Sequence, residues 1–106
     1  MKKIIYLPIQ GIYNEVPFTT VNLPDEESNI QIIYQIIDIM PESLINLTYV
    51  TEADKAIITL TFYETHLQIK DLAQVIKDEV FPECGIDSYT SKEIGDHTIA
   101  IFEIPF

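Results

Sequence analysis

The chain has no arginine, no tryptophan, three glycines and a single cysteine in 106 residues, and only six lysines stand against seventeen acids. Each scarcity removes a class of chemistry. Without arginine there is no planar fork for bidentate recognition of phosphate or carboxylate. Glycine is too sparse for a loop whose backbone amides cradle a phosphate. A lone Cys84 forbids an internal disulfide, so a reducing cytoplasm is the expected compartment. No window comes near the roughly 18 consecutive apolar residues of a membrane-spanning helix. The short run Ile4 to Leu7 is broken by Pro8 and Gln10 with no small-residue cleavage site after it, which is not the pattern of a signal peptide.

What remains is a folded, strongly acidic chain. The formal charge is −11, while 47% of residues are apolar and 10% aromatic, far too many for a disordered acidic tail. Residues 1–24 carry Lys2, Lys3 and Glu15, a side-chain sum of +1; residues 25–106 sum to −12. Such a field repels nucleic acid and anionic membranes and attracts basic protein surfaces within a Debye length of about 8–10 Å.

Periodicity predicts the elements in the order ββαββαββ. Ile69, Leu72, Ala73, Ile76 and Val80 fall at helical spacing and predict a helix over 66–80. Ile32, Ile33, Ile36, Ile37 and Met40 predict another over 29–40, with Asp25, Glu26 and Glu27 near its positive end. Ser28 to Gln31 and Thr65 to Gln68 both match a capping box, which implies that the second helix is the longer. Period-two alternation predicts strands around Ile45–Val50 and Ala56–Tyr63, joined at Glu52 to Lys55, and over 86–93 and 98–104, joined at Gly95 and Asp96. An N-terminal hairpin is expected from strands 3–9 and 15–22, with Pro8 and Pro17 at strand ends or on an edge.

The expected fold is therefore a single α+β domain over 1–106, a mostly antiparallel sheet with two helices on one face and a ferredoxin-like centre. Pro41-Glu42-x-x-Ile45 recurs as Pro82-Glu83-x-x-Ile86, so residues 28–64 and 65–106 read as an αββ duplication following the hairpin of 1–24. Ile57, Thr59, Thr61 and Tyr63 lie on the sheet face away from the helices, and an uncovered face of that mixed kind suits a partner or a homodimer.

Catalytic chemistry finds little support. His66 and His97 match no metal-ligand spacing with Cys84 or the acids, and no cofactor is expected. Glu83 beside Cys84 raises a thiol pKa instead of activating it, and no serine lies in a nucleophile elbow. A non-enzymatic binding protein is expected, docking on a basic and nucleic-acid-handling protein such as a nuclease. Its contacts are expected from acids at helix ends and hairpin turns, Asp25, Glu26, Glu27, Glu52, Asp54, Asp78, Glu79, Glu83 and Asp87, with Tyr49 and Tyr63 as aromatic anchors. In size and charge the chain resembles nucleic-acid mimics such as phage anti-restriction and anti-CRISPR proteins, and immunity proteins against nuclease toxins. That resemblance implies an inhibitor at work in a host cytoplasm. Two alternatives are a small-molecule or sensory module, since duplicated strand-helix units resemble GyrI-like and other ferredoxin-related ligand domains, and a structural subunit of a virion.

Overall fold

The fold is that of a computed structural model, which describes residues 9–21, 26–52, 54–83 and 88–105, with backbone only for 26–29. Asp25, Cys84, Asp87 and the strand expected before residue 9 lie outside the described residues.

Eight elements follow the expected order: β1 Ile9–Tyr13, β2 Val16–Val21, α1 Glu26–Ile39, β3 Leu44–Thr51, β4 Lys55–Phe62, α2 Ile69–Glu79, β5 Ser88–Ile94 and β6 His97–Pro105. The strands form one six-stranded sheet in the order β1-β2-β3-β4-β6-β5, in which only β2 and β3 run parallel. The chain is thus α+β with a mostly antiparallel sheet, and alternation along the strands sets its faces. Ala56, Ile58, Leu60 and Phe62 of β4 are buried with Thr98, Ala100, Phe102 and Ile104 of β6. They pack in one core with Ile33, Ile36 and Ile37 of α1 and Ala73 and Ile76 of α2, so both helices cover the same face.

A ferredoxin-like centre would interleave the two halves, placing β2 between β4 and β5. Instead β2 pairs directly with β3, and β5 lies on the far edge, reached only through β6. Burial explains the order. The apolar side of β6 fills the position beside β4, whereas every residue of β5 is exposed, as an edge strand tolerates. The hairpins β3–β4 and β5–β6 consequently meet back to back across the β4–β6 pairing.

The helix starts also differ from expectation. Helix α1 begins at Glu26, so Ser28 sits inside it and not at its cap. Helix α2 begins at Ile69 after Gln68, with no side-chain cap. Its expected first residue, His66, adopts a left-handed conformation at φ 61° and donates its backbone N–H to Glu93 Oε2 at 2.8 Å. That tether from the β4–α2 connection to β5 takes the place of the capping box, and α2 is the shorter helix, at 11 residues against 14.

Turn chemistry fixes the outer hairpins. Gly95 at φ 60°, followed by a residue without positive φ, is the type II′ pattern favoured between twisted strands. Gly11, between the expected strands 3–9 and 15–22, lies within β1, where the Phe18 ring crosses it: a Cβ there would sit 2.6 Å from Phe18 Cζ. Pro17 precedes the point where β2 begins to pair with β3, so its missing amide costs no ladder bond.

One core group is unsatisfied. Thr20 is fully buried and its Oγ1 has no hydrogen-bond partner. Thr20→Val replaces that hydroxyl by a methyl of similar size and is expected to stabilise the fold by about 1 kcal/mol. A urea titration checks this, and a lowered midpoint would mean that the hydroxyl has a partner in solution.

Candidate functional site

The β1–β2 connection is a two-residue turn in which both Asn14 (φ 49°) and Glu15 (φ 67°) are left-handed, the type I′ pattern that normally takes glycine second. Glu15 is held there at a steric cost of roughly 1–2 kcal/mol. The turn projects over the C-terminal end of α1 and the segment leading into β3. Between them lies a groove of about 530 Å³ whose lining includes Glu15, Asp38 and Glu42 over Met40, Pro41 and Leu44. All three carboxylates are exposed, and among the described residues no lysine or histidine lines the groove.

Asp38 is positioned by aromatic packing. Tyr13 stacks on Tyr34 with ring centroids 4.1 Å apart and donates its O–H to Asp38 Oδ2 at 3.0 Å. The hydrogen bond to that carboxylate raises the Tyr13 phenol above its ordinary pKa, since ionisation would bring two anions together. Phe18 meets Tyr34 edge-on at 6.0 Å, tying the same ring to the core. A smaller depression of about 200 Å³ between the helices is lined by Gln35, Asp38, Ile39, Glu79 and Val80. Asp38 belongs to both cavities, so Glu42, Glu15, Asp38 and Glu79 form one continuous acidic surface.

Helix electrostatics does not account for these positions. The last turn of α1 contains Asp38 and no basic residue, and α2 ends on Asp78 and Glu79 with Lys77 as its only cation there. A carboxylate at a helix C-terminus opposes the macrodipole, typically by 0.3–1 kcal/mol. Folding alone would favour cations there.

The expected acids divide into two groups. Glu79 lines the depression beside the groove, Asp78 lies outside both cavities and accepts a hydrogen bond from Gln74 Nε2 at 2.9 Å, and Glu83 is exposed just beyond α2. Glu52 and Asp54 occupy the β3–β4 turn, at the other end of β3 from Leu44 and on the side where α1 begins with Glu26 and Glu27. An eight-residue strand separates the groups by roughly 23 Å, more than a Debye length. Asp25, Asp87 and the side chains of Glu26 and Glu27 lie outside the described residues.

Tyr49 is not a surface anchor. It is 1% exposed on the helix-covered side of β3, where alternation had left its direction open. Tyr63 is 60% exposed on the opposite sheet face, edge-on to His97 at 4.9 Å.

Glu15, Asp38 and Glu42 are not among the acids expected at the site, because each is an isolated acid on a different segment. Only the positive φ at Glu15 marks one of them as unusual, and that is a backbone property. Glu15→Gly is expected to raise stability by about 0.5–1 kcal/mol, relieved strain outweighing the added freedom of the unfolded chain. Thermal or urea unfolding measures this; unchanged or reduced stability would show that the turn is unstrained. Among the described residues no group of three or more His, Cys, Asp or Glu has the geometry to hold a metal ion, and no helix is long and apolar enough to cross a membrane. Comparison with family models, curated proteins and solved structures returns no match, so the groove's own chemistry has to carry the functional reading.

Proposed function

We propose that this chain is a small acidic inhibitor that binds a basic, nucleic-acid-handling protein, working as phage anti-defence proteins or nuclease-toxin immunity proteins do, with its carboxylates where the target expects phosphates. The observation that carries this reading is the groove, in which Glu15, Asp38 and Glu42 converge from three segments with no counter-cation among the described residues of the lining. Strain at Glu15 and acids at both helix C-termini show that these charges stand where stability alone would not place them. Lysine or arginine side chains of the target enter the groove and donate to the carboxylates, and Glu79 extends the contact across the helices. The field of an acidic chain steers the encounter, and the closer contacts fix the register. The reaction is binding without catalysis, and the host cytoplasm is the compartment it implies.

Capture from a lysate on the immobilised chain at low salt should retain a basic nucleic-acid-handling protein and release it as salt approaches about 0.5 M, where screening shortens the Debye length to a few Å. Capture of no basic protein, or capture indifferent to salt, would overturn the reading.

A further inference from the structure

The sheet face away from the helices carries almost none of the chain's charge. Cross-strand register places Thr19, Thr48, Thr59, Ile101 and Thr90 in one row across the sheet. Val50, Ile57 and Ile99 lie in the rows beside it, none of them buried in the core. In a chain with seventeen acids, Glu103 is the only carboxylate among the described strand residues of this face. It accepts hydrogen bonds from Lys55 Nζ and Ser88 Oγ, each at 2.8 Å, which neutralises it within the face. Lys92 adds one further cation.

We infer that a second copy of this chain covers that face, joining two sheets into a sandwich across a two-fold axis. Charge selects this occupant. Two molecules of net charge −11 can approach closely only through a surface that omits their carboxylates, and this face omits them. A basic protein gains nothing from a face whose unpaired charge is Lys92, and an anionic membrane is repelled by the remainder of the molecule. Area agrees. Six strands about 4.8 Å apart, each roughly 17–30 Å long, cover on the order of 500 Å² in projection. The corrugated accessible surface exceeds its projection, so two copies bury on the order of 1,200 Å² in total, the lower bound for a stable interface. Stacked sheets sit about 10 Å apart, a gap that threonine and isoleucine side chains from both sides fill.

The test is sedimentation equilibrium on the purified chain at micromolar concentration. The wild type is expected at twice its 12.2 kDa. Because the approaching copies repel, raising salt from about 0.02 M to about 0.5 M should tighten the dimer several-fold, opposite in sign to its effect on capture of a basic partner. Thr59→Glu with Ile101→Glu puts two carboxylates at the centre of the face and should weaken the dimer at least tenfold, with far-ultraviolet circular dichroism unchanged. If that variant fails to fold, Thr90→Glu on the exposed edge strand and the salt series on the wild type decide. A monomeric wild type, a dimer that loosens with salt, or a dimer indifferent to carboxylates on this face would each overturn the inference. None of these outcomes depends on the groove.

Discussion

Phe102→Ala is expected to destabilise the fold by about 3–5 kcal/mol, whereas Ile101→Ala, one residue earlier on the same strand, changes the stability of the dissociated monomer by less than about 1 kcal/mol. Phe102 is fully buried on the helix-covered side of β6, and Ile101 is 38% exposed on the open side. Phe102 also holds the edge of the sheet. It pairs with Ile58 of β4 and with Tyr89 of β5, whose ring lies 6.2 Å away, and β6 is the one neighbour of β5 among the described strands. Truncating it leaves a cavity beside an all-exposed strand with little burial of its own, so β5 should lose hydrogen-exchange protection before the remainder of the sheet. Since small domains are stable by only about 5–15 kcal/mol, the variant is expected to lose a large share of the total. Urea unfolding of both variants, diluted until the chain is monomeric, checks the assignment of faces, and equal losses at 101 and 102 would mean that both faces of the sheet are covered within one chain.

Reversing Glu15→Lys together with Glu42→Lys is expected to weaken capture of a basic partner by a factor of roughly 10 to 100 at low salt. Reversing Glu52→Lys with Asp54→Lys should cost only a few-fold. Both pairs change the net charge equally, so long-range attraction falls by a similar amount in each. Only the first pair removes carboxylates that converge in a cavity with Asp38. Truncation or reversal of a close charge pair costs several times more than loss of a rim charge, and the excess appears in the dissociation rate. Surface plasmon resonance at several salt concentrations separates the two contributions. Equal losses would mean that net charge alone holds the partner and that the groove has no special part.

Much of this architecture was legible from residue type. The stripe from Ile69 to Val80 specified α2, and alternation at Ala56 to Phe62 specified β4 and which of its residues share a face. The open face was readable in the same way, as Ile57, Thr59, Thr61 and Tyr63. Helix starts were less so. Ser28 and Thr65 carry the right hydroxyls for a cap, but α1 begins two residues before Ser28, and the amide of His66 is taken by Glu93 from a strand 27 residues away. A capping motif reports what a segment can do alone, and here the sheet offered the backbone another partner.

The amino-acid order by itself determined the order of the elements, the acidic field and which residues of β4 share a face, because each follows from side-chain identity and local spacing. Strand order, the burial of Tyr49 and the meeting of Glu15, Asp38 and Glu42 were decided only by tertiary structure. The physical reason is common to all three. A period of two says which residues share a face without saying which face the helices cover, and segments distant in sequence come together only through strand pairing: β6 takes the place beside β4 and leaves β5 at the edge, while the parallel pairing of β2 with β3 brings the end of α1 beside the β1–β2 turn.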